Sequence, residues 1–211
     1  IYFIYNNKTY GYGENSLGQL GLGNRTDRTN EFFVSSTIGD KSKLVGVNNQ
    51  GSFYVNTSNT IYACGFNNVR QLGIYNTNIK ESYTEITNSS IFQNSQSIEY
   101  IGGGRFWSMI HHISEGNHYI HYTGELRSSG RTTKYNTEGY TNIDVGTISI
   151  KKAFVCGIGM VILDVNNKLY GWGWNQGQFS TGETDVNRLD FPIFKLDETT
   201  DLSNVSIFSG M

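Results

Sequence analysis

The residues best suited to chemistry are His111, His112, His118 and His121, which are all the histidines of the chain and fall in one short stretch. Imidazole nitrogens ligate zinc and copper, and two arms of a hairpin can bring such side chains together. The spacing argues against a completed ligand set. Neighbouring residues of a strand point to opposite faces, which separates His111 from His112, and Glu115 is the lone acidic residue of the stretch. The histidines therefore read as structural, with no metal and no other cofactor expected.

Nucleophiles are equally sparse. Cys64 and Cys156 are the only cysteines, too widely separated for a C-x-x-C metal or redox pair and too few for a disulfide framework. Both read as buried free thiols. No Gly-x-Ser-x-Gly elbow, phosphate-binding loop or dinucleotide fingerprint occurs, and Gly102-Gly103-Gly104 sits between strands with no helix to follow it. The expectation is a protein that is not an enzyme.

The elements that carry these residues are strands. Charged residues make up only 16% of the 211 residues, while 25 glycines, 14 tyrosines and 12 phenylalanines suit short strands joined by tight turns. The length fits a single repeat domain over residues 1–211. A net charge of −2 and the absence of any basic run leave nothing to attract a phosphate backbone. Direct nucleic-acid binding is not expected. The longest apolar runs, such as Met160-Val161-Ile162-Leu163, are far shorter than the roughly 20 residues of a membrane helix. Membrane insertion is not expected either.

An internal repeat organises the chain. Lys8-Thr9-Tyr10-Gly11-Tyr12-Gly13-Glu14-Asn15, closing on Gln19-Leu20-Gly21, recurs as Ile61 to Gly65, Asn67 and Gln71-Leu72-Gly73. A third copy carries Gly173, Asn175 and Gln178, with Phe179-Ser180 in place of Leu-Gly. A weaker one ends at Gly124 and continues from Glu125 to Arg131 with neither the Asn nor the Gln-Leu-Gly element. The anchors Gly13, Gly65, Gly124 and Gly173 lie about fifty residues apart, the length of a four-stranded propeller blade.

Each anchor is preceded by a hairpin: Phe53-Tyr54-Val55, a polar turn, then Thr60-Ile61-Tyr62, with the same grammar at 109–123 and 161–170. Asn166-Asn167 and Gly116-Asn117 supply turn residues that tolerate positive φ. A further strand ending in glycine precedes each hairpin. The units run at about 1–40, 41–94, 95–145 and 146–200, and residues 201–211 are expected to complete the first blade, because Val205 to Met211 matches Phe154 to Met160 while Ile1 to Gly13 matches Val161 to Gly173.

The intact form Gly-x-Asn-x-x-Gly-Gln-Leu-Gly-x-Gly, at Gly13 to Gly23, resembles the signature of the regulator of chromosome condensation repeat. The resemblance implies an all-β fold, a β-propeller with about four blades visible, either a small ring or part of the seven-bladed ring usual in that family. The chain departs from the pattern by lacking a histidine soon after Gly51, Gly102 or Gly157 and by having a single proline, Pro192. Glycines, Asn15, Asn67, Asn175, Gln19, Gln71 and Gln178 recur from unit to unit, which marks them as structural, since an active site normally occurs once.

The third unit is the candidate interaction surface, having lost the loop signature while carrying Arg105, Trp107, His121, Arg127 and Arg131. His121 is expected to be at least as exposed as its counterparts Tyr62 and Tyr170, which should be largely buried between blades. The function expected is a non-catalytic protein-interaction or scaffold module, a possible subunit of a larger assembly, with loops on one propeller face gripping a protein partner. The alternative, implied by the resemblance alone, is a regulator of a small GTPase in which acidic residues such as Glu183 or Asp185 disturb the nucleotide's magnesium and phosphate region. Asn-x-Ser/Thr sequons at Asn7, Asn24, Asn56, Asn88 and Asn204 arise readily in an asparagine-rich chain, and the absence of a secretory signal favours an intracellular protein.

Overall fold

The computed structural model describes residues 1–34, 42–128, 131–156, 159–175, 186–188 and 194–197. Within the strands, residues 33–34, 126–128, 131–138, 156, 174–175, 186–188 and 194–197 are described by their backbone alone.

Alternation of apolar and polar residues over short runs produces strands, and the described strands form four antiparallel meanders. The first sheet holds β1 (Tyr2–Tyr5), β2 (Lys8–Gly13) and β3 (Arg28–Val34). The second holds β4 (Ser42–Asn48), β5 (Gly51–Asn56), β6 (Ile61–Gly65) and β7 (Lys80–Glu85). A short helix, α1 (Ser90–Gln93), leads to the third, built of β8 (Ser97–Gly103), β9 (Trp107–Ser114), β10 (Asn117–Ser128) and β11 (Arg131–Ile143). The fourth comprises β12 (Ile150–Cys156), β13 (Gly159–Asp164), β14 (Leu169–Asn175) and β15 (Val186–Arg188), with β16 (Phe194–Asp197) also paired to β14. The leading strands neighbour one another in space, β1 against β4, β4 against β8 and β8 against β12.

Turn chemistry sets each hairpin. Asn6 and Asn7 both take positive φ (49° and 60°) between β1 and β2, the geometry of a tight turn whose twist matches its strands. Between β9 and β10 the two positive-φ residues are Glu115 and Gly116 (52° and 75°), so the turn lies one residue earlier than Gly116-Asn117 and Asn117 opens β10. The longer turns are held by their first side chain. Asn56 Oδ1 accepts from the Ser58 and Thr60 amides, both at 2.9 Å, and Asp164 Oδ1 accepts from Asn166 and Lys168 at 2.9 and 2.7 Å.

Cores lie between successive sheets. Phe53, Val55, Ile61, Phe92, Ile98, Ile101, Ile110 and Tyr140 are buried together between the second and third. Trp107, Met109, Ile120, Val155, Met160, Ile162 and Trp172 fill the space between the third and fourth. Each such side chain contributes on the order of 1.5–3 kcal/mol by leaving water. The contact of residues 201–211 with the first sheet lies outside the described residues.

Candidate functional site

The signature loops are built by their asparagines. After Gly13, Asn15 is fully buried; its Nδ2 donates to the carbonyls of Asn24 (2.9 Å) and Thr26 (3.2 Å), and its Oδ1 accepts from the Leu20 amide at 2.8 Å. Asn67 repeats this, donating to Ile74 (2.9 Å) and Asn76 (2.5 Å) and accepting from Leu72 (2.9 Å). Gln19 and Gln71 each turn back to accept from an amide two residues earlier, Leu17 at 2.8 Å and Val69 at 3.1 Å. Gly13, Gly65, Gly124 and Gly173 all have φ between +92° and +121°, and the first three sit where the register toward the next strand shifts. Only glycine takes that conformation freely.

Each intact loop plugs the sheet that follows it. The Gln19 carbonyl accepts from Ser52 Oγ at 2.6 Å and Cys64 Sγ at 3.1 Å, and also from the Tyr2 hydroxyl. Ser52 Oγ is 2.8 Å from the Tyr83 hydroxyl, while a Cβ on Gly21 would lie 2.4 Å from the Tyr83 ring. One sheet later the Gln71 carbonyl accepts from Ser108 Oγ at 2.6 Å, Ser108 lies 2.8 Å from the Tyr140 hydroxyl, and a Cβ on Gly73 would lie 2.3 Å from the Tyr140 ring. Thr123 takes the place of Cys64 and donates to the Arg70 carbonyl at 3.1 Å. Ser52, Ser108, Tyr83 and Tyr140 were not singled out from the sequence, although Ser52 and Ser108 hold the same place, next to the first residue of the strand that opens each hairpin.

The third sheet has no such loop to offer the fourth, and the fourth lacks the polar socket. The positions of Ser108 and Thr123 are taken in the fourth sheet by the cross-strand pair Met160 and Trp172. Trp172 is 1% exposed and packs edge-on against Trp107 (6.1 Å) and Tyr122 (5.6 Å). Where a loop would follow Gly124, β10 runs on to Ser128 and turns into β11.

No family model matches the chain. The human X-linked retinitis pigmentosa GTPase regulator is 30% identical over 99 residues, which is 47% of this chain and 9% of that protein. The Arabidopsis thaliana ultraviolet-B receptor UVR8 is 26% identical over 195 residues, 85% of this chain and 39% of the receptor. Prp20p of Saccharomyces cerevisiae superposes with a TM-score of 0.71 at 14% identity, covering 88% of this chain and 45% of that one. Yeast RCC1 (Prp20), from its complex with Kap60, gives 0.71 at 13% identity over 92% and 45%. These similarities support the resemblance of the repeats to those of the regulator of chromosome condensation family. The four sheets are β-propeller blades, in line with the all-β expectation, and the chain spans less than half of each of these proteins.

Within the propeller, the proposed surface of the third blade divides. Arg105 is exposed, its guanidinium 5.0 Å from the Phe106 ring centre. Trp107 and His121 are 1% and 8% exposed, which removes them from any surface. His121 is more buried than Tyr62 or Tyr170, both of which are only partly buried, reversing the expected order. The cause is Phe92 of α1, whose ring packs edge-on against His121 at 5.4 Å, His112 at 5.2 Å and Tyr140 at 5.8 Å. Arg127 pairs with Thr132 and Arg131 with Ser128 across the β10–β11 hairpin; their side chains lie outside the described residues. So do the side chain of Asn175 and the whole of Gln178, Glu183 and Asp185.

The histidines form two pairs on opposite faces of the β9–β10 hairpin. His111 Nε2 lies 3.0 Å from His118 Nδ1, and the His112 and His121 rings are 5.1 Å apart, with His112 Nδ1 held by Ser95 Oγ at 2.7 Å. Burial lowers His111 to about 3, aided by repulsion from His118 and His112, and lowers His112 and His121 to about 4. Burial likewise pushes the Cys64 thiol up to about 12, far from a reactive thiolate. Among the described residues no group of three or more histidine, cysteine or acidic side chains could hold a metal ion, and no helix is long and apolar enough to cross a membrane.

Proposed function

We propose that the chain is a non-catalytic protein-interaction module that grips a protein partner with the β10–β11 hairpin and the adjoining rim of the third blade. The observation that carries this reading is the hairpin itself. β10 and β11 have 12 and 13 residues, whereas β6 and β7 have 5 and 6, and the extra length replaces a loop that elsewhere locks one blade to the next. Length beyond what the sheet needs for packing serves a contact made outside it. Arg105 at the rim, with Arg127 and Arg131 on the hairpin, makes an acidic face on the partner the natural complement. Prp20p is described with Gsp1p and histones, and yeast RCC1 with Kap60, all protein partners. The test is affinity capture from the source cell with the wild-type chain and with a chain whose residues 126–133 are replaced by a Gly-Ser turn. A stoichiometric partner held only by the wild type is expected; equal recovery by both sinks the hairpin reading.

A second reading is favoured by the human relative, whose name describes a GTPase regulator. In it, this chain accelerates nucleotide release from a small GTPase, with Glu183 or Asp185 acting on the magnesium and phosphate region. Release of a fluorescent guanine nucleotide from a panel of GTPases decides it: no acceleration at micromolar protein removes this reading and leaves the first.

A further inference from the structure

The run Gly102-Gly103-Gly104 hollows the wall formed by the leading strands β4, β8 and β12, which neighbour one another in space. Val47, Gly103 and Val155 hold the same place in these strands, each paired with the second residue of the strand that follows, Ser52, Ser108 and Met160. Two of the three positions carry an apolar side chain and the middle one carries none. Gly103 has no room for one, since a Cβ there would lie 2.1 Å from the Trp107 carbonyl oxygen. Around it lies a cavity of about 660 Å³, bounded by Val47, Gly103 and Val155 with Val45 and Ile101. This volume falls in the range of about 300–1,000 Å³ usual for small-molecule sites, which are mostly apolar with a few converging polar groups.

The polar groups gather at one end. The Asn49 amide donates to the Gly104 carbonyl at 3.3 Å, which sets Asn48 and Arg105 at the same end of the two strands, and both line the cavity. Asn48 is 8% exposed; its Oδ1 accepts from the Gln50 amide at 3.1 Å, so its nitrogen is the atom left over, and Nδ2 is buried with no hydrogen-bond partner. Arg105 is exposed, and its guanidinium meets the Phe106 ring and no carboxylate among the described residues. An unmatched amide donor and an unmatched guanidinium side by side suit a carboxylate, which accepts from both. Glu99, near the start of β8, lines the other end and repels an anion there.

We propose that this cavity binds a small carboxylic acid with an apolar body, the carboxylate received by Asn48 Nδ2 and the Arg105 guanidinium and the apolar part lying between Val47 and Val155. Val47, 50% exposed where Val155 is 5% exposed, is the wall the ligand covers.

Amide NMR titration of the 211-residue chain with phenylacetate and with hexanoate tests this. Saturable shifts confined to residues 45–49 and 101–105 are expected with at least one acid; no saturation by either at millimolar concentration, or shifts centred elsewhere, overturns the proposal. Phenylacetamide, which has the same body without the charge, should bind more weakly than phenylacetate, and equal affinity overturns the carboxylate assignment. Arg105→Gln should weaken binding of the acid by about tenfold or more, and an unchanged affinity removes Arg105 from the site. Val47→Trp fills the space and should abolish binding, while retained binding overturns the location. Should that variant fail to fold, as judged by circular dichroism, the wild-type shift map decides the location by itself. The site shares Arg105 with the rim proposed for a protein partner, but none of its residues lies on the β10–β11 hairpin. The chain with residues 126–133 replaced should therefore bind the acid as the wild type does, which keeps the two tests apart.

Discussion

The Ser52 hydroxyl donates to the Gln19 carbonyl at 2.6 Å, and this bond ties one blade to the next across 33 residues of chain. Ser108 and Gln71 repeat it at the same distance, 2.6 Å. In both places the serine also meets a tyrosine hydroxyl, so one small side chain satisfies a loop carbonyl and a buried phenol at once.

Ser108→Ala leaves the Gln71 carbonyl and the Tyr140 hydroxyl without this partner, and a loss of about 1–3 kcal/mol is expected. Ser52→Ala should cost a similar amount. The double variant should show nearly the sum, since the two sockets share no partner. Urea unfolding of the three proteins checks this; a loss in the double variant well below the sum would mean that the sockets are not independent.

Gly73 and Gly116 separate two effects of a methyl group. Both have left-handed φ, +72° and +75°, but a Cβ at Gly73 meets the Tyr140 ring at 2.3 Å while one at Gly116 meets nothing within 4 Å. Gly116→Ala should therefore cost only the backbone strain, about 1–2 kcal/mol. Gly73→Ala should cost more, because the loop must also back away from its socket. Thermal unfolding of the pair reports the difference, and equal losses would rule out tight packing at Gly73.

Phe92 is fully buried against His112, His121 and Tyr140. Phe92→Ala should cost about 3–5 kcal/mol through lost burial and the cavity left behind. It should also let solvent reach His121, seen as a rise of its pKa from about 4 toward the ordinary 6.5 in a proton NMR titration. A histidine that stays low in the variant would show that Phe92 is not what shields it.

Acid should unfold the protein through its histidines. At and above neutral pH, His111, His112 and His121 are neutral in both folded and unfolded chains and contribute no pH dependence. As pH falls through 6.5 the unfolded chain binds protons that the folded protein refuses until about 4 at His112 and His121 and about 3 at His111. Stability is thus lost between pH 6.5 and about 3 to 4. The slope of the urea midpoint against pH should lose one proton's worth in His121→Tyr, which restores the residue found at Tyr62. An unchanged slope would exclude His121 as a contributor.

The repeat was legible from the chain alone because its parts are local. Glycine at Gly13, Gly65, Gly124 and Gly173 answers a backbone conformation other residues resist, and Asn15 and Asn67 bond groups within their own loops, so their spacing carries blade, hairpin and loop without reference to any distant residue. What the sequence could not decide is which face of each strand would be covered. Alternation separates the two faces of a strand, yet His121 and Tyr62 occupy the same position in successive blades and differ in exposure because Phe92 reaches one of them. Burial belongs to the pair of surfaces that meet, so it was decided by the packing of one sheet on the next.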